Sequence, residues 1–171
     1  MADYSQLKII HYPDPRLRVV CERIETFDDD LAALAARMLE LMKAAPGVGL
    51  AAPQVGVTKR MFVMNATQEP EDDQVFVNPV VESLEGAREG EEGCLSIPDV
   101  LVQVRRSVKC RITAQDLKGE PIELVDEELP ARIWQHETDH LDGKLILDRM
   151  GPADRIATKR ALRELEARYK S

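Results

Sequence analysis

The sequence predicts an α+β fold: antiparallel sheets packed around a central helix that carries an HExxH motif, with a further helix at the C-terminus. Short apolar runs separated by polar or glycine-bearing turns fill the middle of the chain and read as sheet strands. Three other segments place apolar residues every three or four positions and read as helices. No internal repeat, low-complexity tract or Gly/Ser linker divides the 171 residues, so residues 1–171 are expected to form a single domain. With 44% hydrophobic and 32% charged residues, the chain has material for both a core and a wet surface.

The first helix follows Asp28, Asp29 and Asp30, which can cap its N-terminus. Its apolar face is Leu31, Leu34, Met38 and Leu41, and Pro46 and Gly47 end it. Next comes GVGLAAPQVG, residues 47–56, with three glycines and one proline. That composition discourages regular structure and lets backbone approach a ligand, so an ordered loop is expected. Strands follow at 61–64 and 75–77, joined through the polar QEPEDDQ, and again at 101–104 and 108–113. Residues 116–121, with Gly119, turn the chain into 122–125. From about Pro130, the positions Ile133, His136, Glu137, His140 and Leu141 share one helix face, with Gly143 beyond its end. The last helix runs from near Pro152 to Tyr169 over a sparse stripe of Ile156, Leu162, Leu165 and Tyr169.

Lys and Arg number 23 against 31 Asp and Glu, and the formal net charge of −8 repels phosphate backbones and anionic lipid alike. Membrane binding and sequence-specific nucleic-acid binding are therefore not expected. No apolar run reaches signal-peptide or membrane-spanning length. The three cysteines, Cys21, Cys94 and Cys110, leave one unpaired under any disulfide scheme, so reduced thiols and a cytoplasmic location are expected.

Chemistry concentrates in His136-Glu137-Thr138-Asp139-His140. On a helix, this i, i+4 spacing brings both imidazoles to one face, where they can ligate one cation. Catalytic zinc-like sites take three protein ligands and keep a further position for water or substrate. Cys94, in the glycine-flanked EEGCLS of 91–96, is the third ligand expected, because a thiolate there can be presented to the helix. Cys21 and Cys110 lack such a context and read as small buried hydrophobes. Glu137, beside the first histidine, is placed to take a proton from a metal-activated water and pass it to a departing amine. One Cys and two His suit zinc, cobalt, nickel or ferrous iron. Asp139 is a candidate partner for Arg106, holding the helix against a sheet; a surface salt bridge is the competing reading.

Three ordered segments, GVGLAAPQ (47–54), EGCLS (92–96) and QHETDHLDG (135–143), together with PDPRLR (13–18), resemble the peptide deformylases over nearly the whole chain. The resemblance implies one catalytic domain that removes the formyl group from the N-terminal formylmethionine of nascent polypeptides and releases formate. It implies attack of metal-bound water on the formyl carbonyl with Glu137 as base and then acid. By the same resemblance, the Gln54 side-chain amide and the Leu95 backbone N–H bond the oxyanion, and the Gly49 carbonyl receives the substrate amide. Val48, Leu95 and Ile133 are candidates for a methionine pocket, and each is equally reasonable as core. The family implies ferrous iron, with zinc, nickel or cobalt in some preparations. Leu101 stands in a stretch where some relatives carry an arginine that contacts the peptide backbone.

The final helix sets Arg155, Lys159, Arg160, Arg163, Arg168 and Lys170 against Asp154, Glu164 and Glu166. That excess fits either ribosome docking, as in some deformylases, or a solvated face. Two rival functions stay open: an HExxH endopeptidase whose third ligand is a downstream carboxylate such as Glu164 rather than Cys94, and a catalytically silent peptide-binding or ribosome-associated module.

Overall fold

Asp28 adopts an extended backbone, and its carboxylate accepts a hydrogen bond at 3.0 Å from the Leu31 N–H, capping helix α1 (Asp29–Ala44) in the computed structural model, which describes residues 2–171. A cap of this kind stabilises by about 1 kcal/mol. Leu31, Leu34 and Met38 are buried as their spacing predicts. Met42 takes the next core position and Leu41 is only half-buried, because Met42 lies four residues from Met38 on the same face.

Residues 47–56 are not the loop their composition suggests. Gly49–Ala51 form strand β1, paired antiparallel with β2 (Met61–Met64) in the register Gly49 to Met64. Ala52–Val55 then wind into one 3-10 turn closed by Gly56 at φ +82°. Leu50, Ala51 and Ala52 are fully buried, and strand pairing satisfies backbone groups that a buried loop would leave without partners.

The main sheet has five antiparallel strands in the order β1-β2-β3-β6-β7, with β3 at Gln74–Glu85, β6 at Lys109–Gln115 and β7 at Pro121–Glu127. The short run expected at 75–77 is the buried start of a strand whose polar continuation pairs with β6. A second sheet is the hairpin of β4 (Arg88–Cys94) and β5 (Ile97–Arg106). β4 has no apolar run to announce it: its sequence is REGEEGC, and its order comes from pairing with β5. In β5 the side chains alternate, with Val100, Val102, Val104 and Arg106 inside and Leu101, Gln103 and Arg105 outside.

Helix α2 (Leu129–Leu141) packs its Ala131, Ile133, Trp134 and Leu141 into a core with Phe62, Met64, Phe76 and Ile112 from the main sheet. Trp134 stands edge-on to Phe76, ring centroids 6.3 Å apart. Cys21 and Cys110 join this core as buried apolar groups, and burial pushes the Cys21 thiol up to about 11. A second core lies under α1. A third joins Val100, Val102 and Val104 of β5 to Leu145–Leu147 and to Leu165 of α3 (Pro152–Lys170). The expected stripe on α3 is narrower than its sequence implies. Leu165 is buried and Leu162 half-buried, whereas Ile156 is 79% exposed and Tyr169 51% exposed. Only one side of α3 meets β5, and Thr158 occupies the buried position beside it, its hydroxyl donating to the Asp154 carbonyl at 2.7 Å.

Candidate metal centre

Helix α2 turns a row of polar side chains toward β4 and β1, of which Glu137, Asp139 and His140 are buried. Cys94 ends β4 at a register shift between Glu92 and Cys94, so the strand irregularity turns the thiol toward the helix. The donor atoms of Cys94, His136 and His140 all lie within 4.8 Å of one another, with Cys94 Sγ 3.4 Å from His140 Nε2. His136 Nδ1 lies 2.8 Å from Glu92 Oε1, which leaves its Nε2 as the ligand atom. Burial holds His140 well below its ordinary pKa and therefore neutral. Burial would lower His136 too, but Cys94 and Glu92 outweigh it and raise His136 well above its usual range. The three donor atoms converge, and one sulfur with two imidazoles suits a borderline divalent ion. The donor set therefore fits a metal.

Glu137 packs against β1. A Cβ placed on Gly49 would lie 2.8 Å from Glu137 Oε1, so only glycine leaves room for the carboxylate. Burial pushes the Glu137 pKa up to about 7, and Oε2 is buried with no hydrogen-bond partner among the described residues. A carboxyl poised near neutrality is suited to taking up and releasing a proton. Gln54 Oε1 accepts from the Ala51 N–H at 2.9 Å, which aims Nε2 at Ser96 Oγ (3.1 Å) and Cys94 Sγ (3.5 Å). The Val48 carbonyl accepts from the Asn65 N–H at 2.9 Å on the sheet side, so the next carbonyl, Gly49, turns to the free edge of β1.

These groups border a cleft of about 700 Å³ that Val48, Gly49, Gln54, Leu95 and Ile133 line together with Cys94, His136 and Glu137. Val48 and Leu95 are half-buried, while Ile133 is 4% exposed and also belongs to the core, so its two readings coexist. Leu101 lines the outer cleft and is exposed.

A buried network of charged side chains completes the surroundings. Glu92 receives Arg106 Nε at 3.0 Å, Arg106 Nη2 at 2.9 Å and Arg132 Nη1 at 2.5 Å in addition to His136. Arg106 Nη1 donates to Asp139 at 2.7 Å, and Arg149 grips the same carboxylate through Nε and Nη2. The expected Arg106–Asp139 pair is therefore buried rather than superficial. Burial alone would raise both carboxyls, but His136 and Arg106 hold Glu92, and Arg149 and Arg106 hold Asp139, below the usual carboxylate range. The signal for Glu92 and Ser96 was present in EGCLS itself; nothing in the sequence pointed to Arg132 or Arg149. Glu164 is not among the converging donors: it lies on α3, 3.3 Å from Arg160 Nε.

Residues 6–155 match the polypeptide deformylase family model. The peptide deformylase of Azotobacter vinelandii is 47% identical over 156 residues, covering 90% of this chain and 93% of that protein. The peptide deformylase of Pseudomonas aeruginosa is 45% identical with the same coverage of 90% and 93%. Among solved structures, the Plasmodium falciparum peptide deformylase superposes with a TM-score of 0.92 at 36% identity, covering 95% of this chain and 97% of that one. The Legionella pneumophila peptide deformylase gives 0.89 at 40% identity, covering 96% and 97%. The chain belongs to the polypeptide deformylase family.

Proposed function

We propose that this protein hydrolyses the formyl group from the N-terminal formylmethionine of nascent polypeptides at a divalent metal held by Cys94, His136 and His140. The observation that carries the reading is the convergence of those three donors, from β4 and α2, beside the buried carboxylate of Glu137. The bound ion would supply Lewis acidity and lower the pKa of a water to near neutrality. Ferrous iron is the ion assigned; zinc, nickel and cobalt suit the same donors.

Glu137 takes the water proton and returns it to the departing amine, a task suited to its neutral-range pKa. Gln54 Nε2, locked by the Ala51 and Ser96 bonds, and the Leu95 backbone N–H donate to the oxygen that gains charge. The Gly49 carbonyl accepts the substrate amide N–H at the free edge of β1, while Val48, Leu95 and Ile133 receive the methionine side chain. On the outer face of α3, Lys159, Arg160 and Arg163 beside exposed Ile156 support docking on the ribosome near emerging chains. Charge reversal of these three cations is expected to abolish co-sedimentation with ribosomes, and unchanged co-sedimentation would refute the docking.

The test of the reaction is product analysis with protein prepared anaerobically in ferrous iron and given an N-formylmethionyl tripeptide and its N-acetyl counterpart. Formate and a free amino terminus are expected from the first and no product from the second. Cleavage of an internal peptide bond would favour the endopeptidase, and binding without any product would favour the silent module.

A further inference from the structure

We infer that Arg132 is a positioning residue for the metal centre: it holds the Glu92 carboxylate that orients the His136 imidazole, an inference that rests on the metal-hydrolase reading above. Arg132 and His136 lie four residues apart on α2, so their side chains leave the same helix face. Arg132 Nη1 meets Glu92 Oε2 at 2.5 Å and the Val104 carbonyl at 3.2 Å, while Nη2 donates to the Arg88 carbonyl at 2.9 Å. Gly90 gives the guanidinium its room, since a Cβ there would lie 3.0 Å from Arg132 Cζ. One side chain of the ligand-bearing helix thereby ties both strands of the hairpin, β4 and β5, to α2.

The other oxygen of the same carboxylate, Glu92 Oε1, receives His136 Nδ1 at 2.8 Å and Arg106 Nη2 at 2.9 Å. A carboxylate is rigid and planar, so whatever fixes Oε2 also fixes Oε1 and the ring bonded to it. Arg106 grips Glu92 through two bonds from β5 and spends its remaining nitrogen, Nη1, on Asp139. Arg132 supplies the third bond, from the helix that carries the histidine, and closes the loop from ligand to support. Its side chain lines the cleft and is 20% exposed, so it can be replaced without emptying a core.

Partners of imidazole ligands set ring orientation, and their loss weakens metal binding by about 10- to 100-fold. The experiment is cobalt(II) binding to the intact chain, read by chelator competition and by the thiolate-to-cobalt absorption band. Arg132→Met keeps the apolar stem and is expected to weaken binding by about 10-fold and to shift the cobalt bands. In a Glu92→Gln background the same substitution is expected to add little, because the path it acts through is already broken. Arg132→Lys keeps the charge without the fork and recovers part of the affinity.

Unchanged affinity and bands in Arg132→Met overturn the inference, as does tighter binding or an equal loss with and without Glu92. Should Arg132→Met or Glu92→Gln fail to fold, Arg132→Lys decides: a smaller shift of the same bands supports the role, and the wild-type spectrum refutes it. A wild-type chain with no thiolate-to-cobalt band overturns the metal-centre reading, and this inference with it; a wild-type band with unaltered variants overturns this inference alone.

Discussion

Helices α2 and α3 contrast in what they bury. Helix α2 hides Glu137, Asp139 and His140, whereas α3 leaves Ile156 and Tyr169 in solvent. Hydropathy would assign the burial the other way. The difference lies in partners: Asp139 has two arginines beside it, His140 the Cys94 thiol and Glu137 the edge of β1, whereas α3 has β5, Leu145–Leu147 and Tyr12 along one side and nothing along the other. Polar groups can be buried where charged or hydrogen-bonding partners compensate for lost water, and apolar ones stay exposed where no surface is offered to them.

The largest effects should therefore fall on α2 and its supports. Cys94→Ala is expected to lose stoichiometric metal and turnover together, while Glu164→Ala on α3 keeps both; elemental analysis and formate release decide, and the reverse pattern would restore the endopeptidase. Arg106→Met removes the buried guanidinium shared by Glu92 and Asp139, leaving Glu92 to Arg132 and His136 and Asp139 to Arg149, and should lower unfolding free energy in urea by about 3 kcal/mol. The matching substitution on α3, Arg160→Met, breaks an exposed pair four residues apart and should change it by less than about 0.5 kcal/mol. Equal effects would erase the contrast between the helices.

Acid should sharpen it. Glu92 and Asp139 are held below the carboxylate range in the folded chain, so the unfolded chain binds their protons first as pH falls. Their contribution is fully present above the unfolded value of about 4 and is lost as pH drops through the lower folded values. Urea unfolding from pH 6 to pH 2.5 should show that loss, and Arg106→Met should flatten it; a slope that survives the substitution would assign it to other carboxyls. The smallest effects separate the two sides of α3. Leu165→Ala is expected to cost about 2–3 kcal/mol and Ile156→Ser less than about 0.5 kcal/mol, by thermal or urea unfolding.

Much of this was legible in the sequence. The α+β class, the three helices and the HExxH face followed from periodicity and spacing, and EGCLS supplied the third donor. What stayed hidden has physical reasons. β4 could not be read from REGEEGC, because its order comes from β5 and from the buried charges of Glu92 rather than from apolar side chains. The glycines of residues 47–56 suggested a loop, yet Gly49 lies in a strand and answers to the close approach of Glu137. Arg132 and Arg149 act through contacts distant in sequence, a kind of information that local pattern does not hold.

If Glu137 moves the proton and does not hold the metal, its removal should stop turnover and leave the metal in place. The direct measurement is metal content and formate release on the same samples of wild type and Glu137→Gln, both loaded anaerobically with ferrous iron. Equal metal in the two and a rate lower by about 10²- to 10⁴-fold in the variant are expected. A fully loaded Glu137→Gln chain that releases formate at the wild-type rate would contradict this role of Glu137.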